Sequence, residues 1–418
     1  MSRVYFVIDM KSFFASVECA ERGIDPYTAN LVVADKERTE KTICLAVSIN
    51  MKKLGVKNRC RLWMVPKDID YICAKPRMKK YIEYAANIYS LYLKYIDKND
   101  IHVYSIDECI LDVTDYLKLY NIKAKPFAIK LMNEIWEKYH IPATCGIGTN
   151  MYLAKIALDI TAKSSKDRIG WLNEEKYIKE LSFHEPISDF WMISTGTQNR
   201  LLKYGIKNMD GIRRIDEEIL YKEFGVNAEL MIDHAYGREP VTMADIKGYK
   251  SKSKSVSSHE ILACSYVKKD ALIVLKEMIQ NGCYNLFLKN LVTSSIHFGV
   301  SYTDGSVSHA TVSYNIRTNL YNYLIDDLVK VYEKIVSNEK EIKTLGYSFN
   351  VSGIENEHYD IFTDLNDVEK EKKLVKSILS LKDKYGKNSV LKALDYDEKA
   401  TIIERNKMIG GHNSGEDE

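Results

Sequence analysis

The eight cysteines include no CxxC pair; Cys19, Cys44, Cys60, Cys73, Cys109, Cys145, Cys264 and Cys283 are scattered, most of them in apolar surroundings. This pattern argues against a zinc ribbon or a disulfide framework and is that of reduced core thiols in a cytoplasm. No apolar run approaches the roughly 18 residues needed to cross a bilayer. The first residues offer neither a basic leader nor a small-residue cleavage site, so a cytoplasmic protein without membrane attachment is expected. One-sided charge is missing as well. The chain carries 60 Lys and Arg against 58 Asp and Glu, a balance that does not by itself suggest nucleic acid.

What is present is length and pattern. At 418 residues, 45% hydrophobic and 28% charged, the chain is a folded protein too long for one core, and two to four domains are expected. The charge is unevenly placed. Residues 351–418 hold 11 Lys and Arg against 15 Asp and Glu, leaving 49 against 43 in residues 1–350. An acidic tail therefore masks a mildly basic body. "KGYKSKSK" (247–254) concentrates lysines in a short stretch that reads either as a solvated linker or as a nucleic-acid contact.

Strand and helix signals interleave up to about residue 168. Residues 4–8 form a buried strand, 31–34 and 43–48 are strand candidates, and 76–96 is an amphipathic helix. "IHVYSIDECILDVTDY" (101–116) reads as strand, tight reversal and strand. Helix 125–139, strand 143–148 and helix 150–163 follow. Residues 174–235 are helical, with breaks expected at Gly196, Gly205, Gly211 and Gly225. A polar, turn-rich linker (237–255) leads to a strand, helix 267–289, strands 292–302 and 307–316, helix 319–337 and strand 343–352. That order is βαββαβ-like and makes an independent α+β domain. The tail holds one helix, 366–384, and its polar end is expected to be disordered.

Asp9 closes the first strand, and Asp107 and Glu108 occupy the reversal. If these strands share a sheet, three carboxylates meet at one edge, which is tolerable only with cations bound. Oxygen ligands of this kind suit Mg²⁺, and two such ions can drive an in-line phosphoryl transfer. Taken singly, each acid reads as a helix cap or turn residue; together, at the ends of apolar strands, they read as a site.

"VIDMKSFFASVE" and "YSIDECILDVT" resemble the two catalytic motifs of Y-family translesion DNA polymerases. The similarity continues through "GIGTNMYLAKIALDITAK" and "ISDFWMIS" and spans about residues 1–350. It is nearest to the Gram-positive branch similar to the catalytic subunit of DNA polymerase V. The resemblance implies an α+β multidomain fold, a right-hand polymerase with palm (1–10 and 77–168), small fingers (11–76) and helical thumb with a helix-hairpin-helix (169–236). A basic linker (237–254), a little finger (255–353) and a tail (354–418) complete it. It implies low-fidelity, template-directed DNA synthesis on damaged DNA, with primer-template DNA and deoxynucleoside triphosphates as substrates and two Mg²⁺ ions as cofactors.

By the same resemblance, Asp9 and Asp107 would bridge the two ions, Glu108 would complete one, and the Met10 carbonyl would join the other. Phe14 would be the steric gate that excludes a ribose 2′-hydroxyl, with Phe13 packed beside it. Lys52 and Lys163 would hold the triphosphate, supplying charge that the metals leave unneutralised. Ile49 stands where relatives often have a phosphate-binding tyrosine, and Lys11 where many have an acid or a small polar residue. "GIGTNM" lacks the third glycine and the distant acid of a dinucleotide loop.

The thumb hairpin would grip DNA phosphates without reading sequence, although Met192 and Ser194 replace the relatives' glycines. Lys250, Lys252 and Lys254 would follow the template backbone. In "HYDIFTD" (358–364), His358, Ile361 and Phe362 fit a short peptide that binds a sliding clamp, or fold back on their own domain. The distal tail is a place for an accessory protein. Two other functions stay open on the residues alone: a palm-type nucleotide cyclase, and a non-catalytic DNA-binding repair scaffold.

Overall fold

The structure, a computed structural model, describes residues 3–37, 41–251 and 254–415. Two units emerge: residues 1–250 with 412–418, and Ser251–Gly411. Within residues 1–250 of the first, the strands in chain order are β1 (Tyr5–Met10), β2 (Leu31–Val33), β3 (Ala46–Val47), β4 (Ile72–Ala74), β5 (Ile101–Val103), β6 (Glu108–Asp112), β7 (Ala143–Gly148) and β8 (Ile169–Leu172).

β1 lies at the centre of a five-stranded sheet of order β5-β6-β1-β7-β8, antiparallel to both neighbours. Its side chains alternate between two cores, as the pleat requires. Phe6, Ile8 and Met10 join a cluster with Leu111, Tyr81 and Phe127, under helices Phe13–Glu21, Met78–Tyr92 and Ala124–Tyr139. Tyr5 and Val7 face the other way, towards Ile110, Met151, Ala154 and Leu158. Asp9 continues this second series.

The glycines of "GIG" serve packing. A Cβ on Gly146 would sit 2.0 Å from the Ala154 carbonyl oxygen, and one on Gly148 2.1 Å from the Ala154 nitrogen. Only glycine lets the following helix lie this close to β7. The helix expected over 150–163 is α-helical at Met151–Ile156, opens into a π-helical turn at Ala157–Thr161, and closes at Ala162–Ser164.

A second, three-stranded sheet of order β3-β2-β4 surrounds Val32, Cys44, Val47 and Met51. The strand expected at 43–48 shrinks to Ala46–Val47, with Ile43 making only an isolated bridge to Arg61. β4 was not anticipated; it is defined by its parallel pairing with β2, a long-range contact. Short helices run from Glu174 to Gly248. Gly205 and Gly225 separate helices with positive φ, but Gly196 and Gly211 lie inside Thr195–Leu202 and Met209–Arg214, so they are not breaks. Nor is 237–254 a free linker throughout. Residues Met243–Gly248 form a helix with a capping box; Met243 is buried against the β1 face, and Lys247 Nζ donates to the Ile101 carbonyl at 2.6 Å.

The second unit contains β9 (Ser255–Tyr266), β10 (Leu291–Tyr302), β11 (Val307–Thr318) and β12 (Ile342–Gly353). They form an antiparallel sheet of order β11-β10-β12-β9, and helices Lys268–Leu288 and Ile325–Ile335 share its core. The chain order is βαββαβ. The expected helix 319–337 begins only at Ile325. The tail helix, Leu365–Tyr385, packs through Val368 and Val375 on Leu320. Further along, buried Glu277 accepts the backbone N–H groups of Thr401 and Ile402 at 3.0 and 3.2 Å. The expected disordered end is corrected as far as Gly415: the Ser414 carbonyl accepts the Lys79 N–H at 3.0 Å. Residues 416–418 lie outside the described residues. No described helix is long and apolar enough to cross a membrane.

Candidate active site

Pairing of β1 with β6 sets Asp9 directly opposite Glu108. Directly opposed residues share a face, with Cβ atoms roughly 5 Å apart. The Met10 N–H donates to the Asp107 carbonyl at 2.9 Å, fixing the reversal against the end of β1. Ser105 Oγ donates to Asp107 Oδ1 at 2.7 Å.

Like charges held together in a half-dry place resist ionisation. Burial first, then Asp107 and Glu108, push the Asp9 carboxyl up to about 7. Burial also raises Glu108, against the pull of Lys155. Glu108 is 7% exposed, and its Oε1 is buried without a hydrogen-bond partner, as is Thr144 Oγ1, whose residue faces Asp9 across β7. Unpartnered buried oxygens beside crowded carboxylates are the chemistry of a hard-cation site, and the donor set fits a divalent ion. Among the described residues no group of three or more His, Cys, Asp or Glu side chains is placed so that these side chains alone could hold a metal ion. Such a site would leave the remaining ligands to backbone, substrate and water.

Cations gather opposite. Partial burial of the Lys52 ammonium lowers its pKa against the pull of Asp9 and Asp107. Burial lowers Lys11 too, reinforced by Arg168 and, more weakly, by Lys52 and Lys53, with Asp9 opposing. Lys52, Lys11 and Arg168 therefore stand within electrostatic reach of the carboxylate edge or of one another. Lys163 is exposed on Ala162–Ser164.

β1 turns into helix Phe13–Glu21 through Ser12, whose φ of 49° is left-handed. The turn buries Phe13 (3% exposed) in the core and leaves Phe14 partly exposed at its edge. Phe14 stacks on Tyr81 with centroids 4.5 Å apart and planes 16° apart. Tyr81 Oη donates to Glu18 Oε1 at 2.8 Å, and Arg77 donates to both Glu18 oxygens at 3.0 and 2.9 Å.

Lys250 and Lys254 are exposed, and Lys252 lies outside the described residues. In the hairpin, Met192 keeps a left-handed φ of 69°, the conformation that a glycine adopts freely. Ser194 caps the next helix, accepting the Thr197 N–H at 3.1 Å. Ile361 and Phe362, at 92% and 89% exposure, project from a turn closed by Asp360. His358 is anchored, its Nε2 lying 3.0 Å from the Asn315 carbonyl.

Sequence reasoning missed Lys155, Arg168, Tyr81 and Glu18. A signal existed for two of them: Lys155 in "MYLAKIAL" and Glu18 in "FFASVECA" are lone charges in apolar helices, and buried charges demand partners.

Comparison with solved structures shows the fold. A Y-family DNA polymerase chimera of Dbh and Dpo4 superposes with a TM-score of 0.65 at 22% identity, covering 83% of this chain and 98% of that one. A post-insertion binary complex of Dbh DNA polymerase gives 0.52 at 24% identity, covering 83% and 98%. The fold is that of Y-family DNA polymerases. Residues 8–159 match the model of the impB/mucB/samB family. Among curated proteins it is similar to the "Putative UV-damage repair protein UvrX" of Bacillus subtilis (strain 168), 27% identical over 97% of both chains. It is also similar to "DNA polymerase IV 2" of Halalkalibacterium halodurans, 25% identical over 99% of this chain and 100% of that one.

Proposed function

We propose that this protein is a template-directed DNA polymerase of the translesion type, adding deoxynucleotides to a primer 3′-hydroxyl. The observation that carries the reading is the cross-strand pair Asp9–Glu108, with Asp107 beside it and Lys52 within electrostatic reach of the aspartates. Full-length similarity to curated DNA polymerases favours it over a nucleotide cyclase, which has no use for a helical subdomain and a second α+β unit, and over a scaffold without catalysis.

In this reading Asp9, Asp107, Glu108 and the Met10 carbonyl hold two Mg²⁺ ions, which supply charge neutralisation for in-line phosphoryl transfer. Lys52 and Lys11 bind the triphosphate. Lys163 reaches the same phosphates only if its exposed side chain swings in when nucleotide binds. Phe14, backed by Tyr81, bounds the sugar site and leaves no room for a 2′-hydroxyl. The five-stranded sheet unit is the palm, the three-stranded sheet the fingers, the helices of 174–235 the thumb, and β9–β12 with their helices the little finger. Lys250, Lys252 and Lys254 contact the template backbone, and Ile361 with Phe362 docks on a sliding clamp.

Primer extension with Mg²⁺ on undamaged and abasic templates tests this reading. The wild-type chain is expected to extend both. Asp9→Ala is expected to lose at least ~10³-fold in rate while keeping duplex affinity, because it removes transition-state charge stabilisation and no DNA contact. Retained extension by Asp9→Ala overturns the assignment.

A further inference from the structure

Lys155 has no task in the scheme above, yet it is the cation most tightly bound to the carboxylate edge. It sits in helix Met151–Ile156, every residue of which is buried, and is itself 8% exposed. Its ammonium donates to Glu108 Oε2 at 2.8 Å and to Asp159 Oδ1 at 3.3 Å. Asp159 belongs to the π-helical turn that follows. On its outer side the ammonium lies 5.6 Å from the centre of the Tyr104 ring. Tyr104 is held in turn by Trp191, whose indole N–H donates to Tyr104 Oη at 2.9 Å.

A buried lysine is stable only when paired, and here the pairing is selective between two oxygens of one carboxylate. Lys155 occupies Oε2 of Glu108. Oε1 is left buried and without a hydrogen-bond partner. An oxygen that already accepts from an ammonium ion is a weaker donor to a second cation, so this pairing disfavours a carboxylate closing on a metal with both oxygens.

We infer that Lys155 is a positioning residue that keeps Glu108 monodentate and so biases the cation site towards a small octahedral ion and against calcium. The inference rests on the reading of Asp9 and Glu108 as cation ligands. Its chemistry is that of ion size. Calcium takes six to eight oxygens and gains from bidentate carboxylates, whereas magnesium demands near-octahedral geometry and retains waters. Tyr104 and Trp191 close the outer side of the ammonium and oppose its swing away from Glu108.

The test uses the full chain without DNA or nucleotide, titrated with magnesium chloride or calcium chloride and followed by the rise in melting temperature. A purely structural lysine, when lost, lowers the melting temperature for both ions alike. Lys155→Met is instead expected to lower the ratio of calcium to magnesium dissociation constants by ~10-fold or more, the scale on which outer-shell partners tune metal sites. An unchanged ratio in folded Lys155→Met overturns this inference alone. Should circular dichroism show that Lys155→Met is unfolded, Tyr104→Leu takes its place, since that ring is 43% exposed. There a several-fold fall in the ratio supports the inference and an unchanged ratio overturns it. If Asp9→Ala binds both ions as the wild type does, the cation reading itself fails, and the role of Lys155 with it.

Discussion

The ring of Phe14 lies nearly parallel to that of Tyr81, 4.5 Å away, and Tyr81 is in turn hydrogen-bonded to the fully buried Glu18. The aromatic that bounds the proposed sugar site is thus braced from behind by the buried Glu18 carboxylate, which pairs with the partly exposed Arg77 and the exposed Arg22.

Sugar selectivity is expected to depend on both rings. Phe14→Ala opens the space and is expected to raise ribonucleotide incorporation by ~10²-fold or more, a loss of about 3 kcal/mol in discrimination. Tyr81→Leu leaves Phe14 in place without its stacking partner and is expected to give a smaller rise in the same direction. Single-nucleotide insertion with matched dNTP and rNTP pairs measures both. Unchanged selectivity in Phe14→Ala would place the gate elsewhere.

The acid edge predicts a pH dependence of stability in metal-free protein. Asp9 titrates near 7 when folded against an ordinary 3.8. Below about pH 4 it is protonated in both states. As pH rises from about 4 to about 7 the unfolded chain binds fewer protons than the folded one, so stability falls, by on the order of 4 kcal/mol for this group alone, and then levels off. Denaturant melts in EDTA at about pH 5 and pH 8 are expected to differ by less in Asp9→Asn than in the wild type. Added Mg²⁺ is expected to restore the wild type chiefly at the higher pH. Equal pH dependence in the two proteins refutes the crowding of Asp9.

How much of this was legible in the sequence follows from the range of each signal. β1 and the 101–116 reversal were readable because short apolar runs ending on acids imply a strand that meets something. The register that opposes Asp9 to Glu108 is a long-range fact; period-two patterning fixes which residues share a face but not which strands are neighbours. The βαββαβ order of the second unit was visible in its alternating periods. β4 was not, since what defines it is its parallel pairing with the distant β2. The helix Met243–Gly248 was hidden inside a basic, turn-rich run, because Met243 and Ile246 are apolar anchors too sparse to register as a face. Arg168 could not be foreseen at the site: its placement depends on β8 pairing with β7.

Met192 offers a measurement of backbone strain. It holds φ at 69° with its side chain 61% exposed, so little packing offsets a left-handed cost of roughly 1–2 kcal/mol. Met192→Gly removes that cost and gives back part of it through the greater freedom of glycine when unfolded. A net gain of about 0.5–1 kcal/mol is expected by denaturant titration. Met192→Ala retains a Cβ and is expected to gain nothing. Equal effects of the two substitutions would show that the conformation is relaxed.

The pair Ile361 and Phe362 exposes two large apolar side chains almost completely, on a turn whose neighbours are anchored. Tyr359 Oη lies 2.8 Å from Thr318 Oγ1, and the His358 N–H and carbonyl pair with those of Arg317. Single apolar side chains at the surface are unremarkable, but two adjacent ones held on a rigid turn form a presented anchor. Because neither contributes to a core, replacing both with Ala is expected to change stability by no more than ~0.5 kcal/mol. Extension without clamp is expected to be unaffected. With a sliding clamp loaded on the template, the double variant is expected to make products several-fold shorter than the wild type. Substituting His358 instead removes an anchor of the turn, so its effect is expected to appear as lowered stability of the second unit whether or not a clamp is present. A double variant that loses processivity equally with and without clamp would mean that Ile361 and Phe362 serve their own domain, and would remove the clamp from the proposed partners of this protein.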